Sequence, residues 1–224
     1  MNRTLLVSDV HLGLASSQPG KVLGVLESVN FDLLVIVGDL FNGNLDAFDA
    51  ACWRLIDRIR AIHHSKNRSV VLIRGNHDPF LITLLGKWTG IPVYDWYTWD
   101  CAGYGCFAIH GHQFDSVCHG PSLLASALTY LQTKALGKHW LSFRNERLAD
   151  EFHVDWERLT PKVRDGTTAL AGQHQKVAAF AGHTHEAVDT IRQGIHYVNT
   201  GCMLAETRAS YALVDEEGPR LVYC

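Results

Sequence analysis

An α/β protein in which two sheets pack face to face with helices outside is the architecture expected of this 224-residue chain. Three observations carry the expectation. Apolar runs alternate with helical patterns through the first hundred or so residues, hairpin signals recur in the second half, and one long segment, 113–175, has helical spacing without a convincing strand.

The first strand is read at 4–7 (Thr-Leu-Leu-Val), the second at 33–37 (Leu-Leu-Val-Ile-Val) and the third at 70–73 (Val-Val-Leu-Ile). Continuous apolar runs of this length suit strands buried on both faces. Helices are expected between them at 19–29, with Pro19 in the first turn, and at 46–64. That β-α alternation predicts a parallel sheet. After Asp78-Pro79, a short helix at 80–88 leads to Pro92-Val-Tyr, and the chain then changes character. Runs at 97–101 and 106–110 flank Ala-Gly-Tyr-Gly, runs at 187–192 and 195–198 flank Gly194, and runs at 211–214 and 220–223 flank Asp-Glu-Glu-Gly. These are three hairpins, joined by a further buried strand at 177–181.

The segment 113–175 reads as a helical cap inserted in a single domain spanning 1–224. Apolar residues recur at helical spacing over 122–131 and 140–156, and Trp140, Phe143, Phe152 and Trp156 are expected to form a small core there. Lys134, Lys138, Arg144 and Arg147 against Glu146 give the stretch 121–147 a net charge of 4 − 1 = +3. An anionic substrate would be drawn to it.

Overall charge is close to neutral, 20 basic against 23 acidic residues, so no polybasic surface points to nucleic acid as an obligatory partner. The start of the chain has too short an apolar run for a signal-peptide core, and no stretch approaches the ~18 apolar residues of a membrane span. A cytoplasmic protein without a transmembrane segment is therefore expected, with peripheral membrane contact open only through the cap. Six cysteines without a Cys-x-x-Cys pair are expected as free thiols in that compartment, although Cys101 and Cys106 could face each other across a hairpin. Oligomeric state has no signature in the pattern.

Chemistry concentrates in five short motifs: Ser-Asp-Val-His at 8–11, Gly-Asp-Leu-Phe at 38–41, Gly-Asn-His-Asp at 75–78, His-Gly-His at 110–112 and Gly-His-Thr-His at 182–185. Each follows one of the buried strands, and residues just past strand ends converge on the crevice where α/β folds bind ligands. Together they gather carboxylates, imidazoles and one amide, a donor set able to hold two metal ions. Imidazole, carboxylate and amide oxygen are donors that zinc, manganese and iron accept, whereas an all-cysteine set would be softer.

In this order and context the motifs, with the following Asn199-Thr-Gly201, resemble the calcineurin-like metallophosphoesterase superfamily from Ser8 onward. The resemblance implies a four-layer αββα sandwich of two mixed sheets. It also implies a phosphoesterase that hydrolyses a phosphate mono- or diester by in-line attack of a metal-bridging hydroxide. Carried over by position, Asp9, His11 and His185 match the ligands of one ion, Asn76, His110 and His183 those of a second, and Asp39 the carboxylate that bridges both. A bridging carboxylate also makes physical sense, since two cations about 3.5–4 Å apart repel unless an anion lies between them. Manganese is the first expectation, with iron or zinc as alternatives. His77 matches the catalytic histidine that stabilises or protonates the leaving oxygen, a task suited to a group with a pKa near 6.5. The family usually carries an acid that orients this histidine where Asn42 stands, so Asp78 or Asp46 is considered as its substitute.

Two alternatives stand beside a small phosphate-ester substrate. The helical insertion resembles that of the bacterial UDP-2,3-diacylglucosamine pyrophosphatases, but that family has Gly-Asn-Arg-Asp where His77 stands and an acid at position 42. A binding scaffold that keeps the fold and loses the chemistry is the other, and the presence of all seven ligand positions and His77 argues against it. Serine/threonine protein phosphatases are a poorer match because Gly-Asp-x-Val-Asp-Arg-Gly and Gly-Asn-His-Glu are absent. Three further groups have two readings each. His112 and Asp115 suit either a supporting or substrate-facing role or a purely structural one, Arg74 either phosphate contact or a surface ion pair, and Asn199 with Gly201 either close backbone approach or a plain turn.

Overall fold

The computed structural model describes residues 2–43, 45–115 and 156–224. Strands β1 (Thr4–Val7), β2 (Leu33–Val37), β3 (Ser69–Ile73) and β4 (Val93–Tyr94) run parallel, and β10 (Ser210–Asp215) and β11 (Gly218–Tyr223) add antiparallel, giving the order β11-β10-β1-β2-β3-β4. The second sheet has the order β5-β6-β7-β9-β8, formed by β5 (Trp96–Cys101), β6 (Tyr104–Ile109), β7 (Ala178–Ala181), β8 (Ala187–Arg192) and β9 (Ile195–Thr200). Both sheets are mixed, as expected.

Alternation along the strands builds the layers. Leu6, Val35, Val37 and Val71 of the first sheet face Trp99, Cys106, Ala108 and Phe180 of the second in one dry seam. Their neighbours Leu5, Val7, Leu34, Ile36 and Leu72 face outward onto α1 (Pro19–Ser28), α2 (Ala50–His63) and α3 (Pro79–Thr89). On the far side Phe107, Ile109, Ala179, Ala181 and Tyr197 pack against Leu159, Val163 and Ala171 of α4 (Trp156–Gln173). The result is the four-layer sandwich.

Helix ends follow local chemistry. Proline opens α1 and α3 where no backbone donor is needed. The Asp49 carboxylate accepts from the N–H groups of Ala51 and Cys52 at 2.9 and 2.8 Å, so α2 begins there rather than at 46, and Leu45–Ala47 forms a 3-10 turn instead.

One expectation needs adjustment. Within 113–175, expected as a cap, α4 is the outer helical layer of the second sheet, because its apolar face has the strand residues of β6, β7 and β9 to cover. Residues 116–155, with the basic stretch and with Trp140, Phe143 and Phe152 of the aromatic core expected there, lie outside the described residues. Cys101 and Cys106 are free and buried, since the β5–β6 register sets Cys101 opposite Tyr104 and Cys106 opposite Trp99. Among the described residues, no helix is long and apolar enough to cross a membrane.

Candidate metal centre

All five motifs leave the strands at one end of the sandwich, where the seam between the sheets opens. Backbone bonds zip their loops together: Asp9 N–H donates to the Gly38 carbonyl (3.2 Å), His11 N–H to Asp39 (3.0 Å) and Gly182 N–H to His110 (3.0 Å). Asp9, His11, Asp39, His183 and His185 all have positive φ, between 50° and 70°. Side chains rarely adopt this left-handed conformation, and it concentrates where the surrounding structure forces it for function. Two glycines permit the crowding, because a Cβ at Gly75 would collide with the Asp39 carboxylate and one at Gly182 with Asp9 and Ser8.

Asp9, His11, Asp39 and His110 are almost fully buried, an expensive position for four ionisable groups. Asp39 Oδ2 lies 3.2 Å from His110 Nε2 and 3.9 Å from His11 Nε2, while its Oδ1 accepts from the His77 N–H at 2.9 Å. His110 Nδ1 donates to the Val37 carbonyl across the seam at 2.8 Å, which leaves Nε2 facing Asp39 and Asn76 Oδ1, the latter at 3.1 Å. Asp9 divides its oxygens similarly. Oδ2 accepts from Ser8 Oγ and from the His183 N–H at 3.0 Å, and Oδ1 lies 3.4 Å from His185 Nε2 and 3.8 Å from His11 Nε2. His11 and His185 bring their Nε2 atoms to 3.1 Å from each other.

The electrostatics are those of a charged cluster out of water. Burial alone would raise both carboxyls, but His110 and His185 bring Asp9 down to about 2, and His110 holds Asp39 below the usual carboxylate range. Burial would lower His110, yet Asp39 and Asp9 lift it to about 10, whereas at His11 burial wins and the imidazole falls to about 4. Burial and the neighbouring Asp39 charge push Asp78 up to about 7.

The geometry therefore brings most of the expected residues together. Three overlapping groups, Asp9–His11–His185, His11–Asp39–His77 and Asp9–Asp39–His110, each place their ligand atoms within 4.8 Å of one another. His77 is closer to the cluster than a bystander would be, its exposed ring edge-on to His11 at 4.9 Å between centroids. His183 stands at the margin, with its ring 5.3 Å from that of His110 and its Nε2 3.2 Å from Asp115 Oδ2. A divalent cation fits this donor set. Asp9 Oδ1 is buried and accepts no hydrogen bond, a cost that a cation would remove.

Other residues with two readings are now placed. Asn199, left open by the sequence, clamps the last motif: its amide donates to the Gly182 carbonyl (2.8 Å) and Thr184 Oγ1 (3.0 Å), and its oxygen accepts from Gly201 N–H (3.1 Å). Asp78 does not partner His77; its oxygens accept from the Phe41 and Gly75 N–H groups, tying two motif loops together. Arg74 pairs with Asp95 at 2.7 Å, the surface ion pair of its plainer reading. Sequence reasoning passed over Ser8 and Thr200, whose hydroxyls meet at 2.6 Å beneath Asp9.

Comparison with known proteins agrees with this fold. Solved structures that share the fold include an archaeal phosphodiesterase (TM-score 0.56, 15% identity, 99% of each chain covered) and the E. coli phosphoesterase Yfce (0.54, 21%, 95% of this chain and 88% of that one). Vps29 from Entamoeba histolytica, solved with zinc, is a third (0.53, 12%, 99% and 98%). No curated protein matches. The profile of the calcineurin-like phosphoesterase superfamily domain matches residues 3–218, nearly the whole chain, and the protein belongs to that superfamily.

Proposed function

We propose that the protein is a dinuclear-metal-dependent hydrolase of a small phosphate mono- or diester. The observation that carries this reading is Asp39, whose single oxygen Oδ2 is flanked by His11 on one side and His110 on the other. Asp9, His11 and His185 would hold one ion, Asn76, His110 and His183 the other, and Asp39 would serve both. Bound divalent cations supply charge neutralisation on the phosphoryl oxygens and acidify a coordinated water. The protein's own contribution is orientation. Val37 and Ser8 fix His110 and Asp9, and Asn199 fixes the loop that carries His183 and His185.

His77 is the proton donor for the leaving oxygen in this reading. Its backbone is pinned to Asp39 and its ring is exposed at the rim, where a substrate oxygen can reach it. The same proximity makes it a rival ligand, and one experiment separates the roles. Metal analysis of purified protein should give two transition-metal ions per chain, with manganese supporting hydrolysis in a screen of a monoester, a diester and a nucleotide pyrophosphate. His77→Ala should keep both ions and lose roughly 10²–10⁴ in turnover on poor leaving groups, with a smaller loss on activated esters. Metal depletion in that variant would make His77 a ligand instead. Parent protein that holds metal but hydrolyses none of the substrates would support the scaffold reading, and hydrolysis of the pyrophosphate alone the pyrophosphatase reading. A cytoplasmic location is part of the proposal.

A further inference from the structure

We propose that Asp115 is a positioning residue for His183, fixing which nitrogen of that imidazole is left to bind metal; the inference rests on the dinuclear reading above. The His-Gly-His motif runs into a 3-10 turn, His112–Phe114, closed by Asp115, whose N–H donates to the His112 carbonyl at 3.1 Å. Asp115 is 8% exposed and its Oδ2 lies 3.2 Å from His183 Nε2. A carboxylate only accepts, so Nε2 carries the hydrogen and Nδ1 keeps the lone pair. The main chain of the same residue is held by a second acid, since His183 N–H donates to Asp9 Oδ2 at 3.0 Å.

His110 is built the other way round. There Nδ1 carries the hydrogen donated to the Val37 carbonyl, and Nε2 faces Asp39 Oδ2 and Asn76 Oδ1. Two imidazoles 5.3 Å apart thus have opposite nitrogens engaged, Nδ1 of His110 by Val37 and Nε2 of His183 by Asp115, so the nitrogen left for a metal would differ between them. Packing against α4 holds the turn in place. Phe114 lies over Gly166, where a Cβ would overlap its ring, and Gly111 lies against Val163. A helix of the outer layer thereby sets the position of Asp115, and through it the orientation of His183.

Binding of manganese to metal-stripped parent, Asp115→Ala and Asp115→Asn proteins tests the role, with circular dichroism as the check on folding. Parent protein should take up two ions. Asp115→Ala should bind one of them roughly 10–100-fold more weakly and the other unchanged. Asp115→Asn, whose amide oxygen still accepts from Nε2, should stay close to the parent. Equal affinities in the parent and Asp115→Ala would overturn the role of Asp115 and leave the dinuclear reading intact, whereas fewer than two ions in the parent would overturn that reading and this inference with it. If Asp115→Ala does not fold, long-range proton–nitrogen spectra of the zinc-loaded parent decide alone. A proton on His183 Nε2 supports the proposal, and one on Nδ1 overturns it.

Discussion

Carboxylates are buried at both ends of the first sheet, and what surrounds them differs. At the end where β1 begins, Asp215 is held by Arg220 through contacts of 2.5 and 2.8 Å, by Arg3 at 3.0 Å and by the Glu217 N–H at 3.0 Å. These cations are permanent. At the other end, two residues past β1 and β2 respectively, Asp9 and Asp39 share a pocket with imidazoles, and one Asp9 oxygen accepts no hydrogen bond. The same sheet therefore carries a closed ion-pair cluster at one pole and an open one at the other, separated by a seam of apolar side chains. A closed cluster serves the fold. An open one, set on left-handed backbone, is shaped for a ligand that brings its own positive charge.

The sharpest way to break this contrast is at Asp39. Asp39→Asn keeps the shape and an oxygen that can accept from His77, but removes the charge that would lie between two cations. Hydrolysis should fall by several kcal/mol of transition-state stabilisation, roughly 10³-fold or more. Metal content should drop further than in Asn76→Ala, which touches one proposed site only. Comparable metal loss in the two variants would remove Asp39 from the shared position.

One side of this contrast, the pole that carries the motifs, could be read from the sequence. The strands at 4–7 and 33–37 coincide with β1 and β2, because buried parallel strands are continuous apolar runs and the polar motif stops them abruptly. The motifs then marked the loops that converge. What stayed hidden has physical causes. The role of α4 as an outer layer was obscured by Pro161, Gly166 and Gly172 and by Thr160, Thr167 and Thr168, which dilute the helical pattern. The contact of Asp115 with His183 joins positions 68 residues apart and the bonds of the Asn199 amide to Gly182 and Thr184 join positions 17 and 15 apart, and no periodicity encodes such pairs. Asp78 sits beside His77 in sequence yet faces the other way, since its oxygens serve the loops beneath.

The seam between the poles should respond in the opposite sense to Asp39. Trp99 is buried there against Phe180, with ring centroids 5.8 Å apart, and its indole N–H donates to Thr4 Oγ1 at 3.0 Å. Trp99→Ala should lower unfolding free energy by about 3–5 kcal/mol, read by denaturant titration. Metal stoichiometry and turnover of the folded fraction should stay near the parent's, because β5 bears none of the five motifs. Loss of metal from folded Trp99→Ala would mean that the seam and the site are one mechanical unit, and the division drawn here would fail.

The smallest effect is expected at Asp215, and its pH dependence is the informative part. The Arg220 hydrogen bonds bring its carboxyl down to about 2 from an ordinary value of 3.8. A carboxylate with a depressed folded-state pKa stabilises the fold above the unfolded value, and that stability disappears as pH falls from about 4 toward about 2. Asp215→Asn should therefore cost on the order of 1 kcal/mol near neutral pH, a figure kept low because Arg3 and Arg220 are partly in solvent. Denaturant midpoints of parent and variant, followed from pH 6 downward, should converge as the solution becomes acidic. Metal should make no difference to that gap, since the arginines already neutralise this pole and leave nothing for a cation to do. A gap that widens when metal is added would couple the two ends of the sheet and show that Asp215 belongs with the site rather than opposite it.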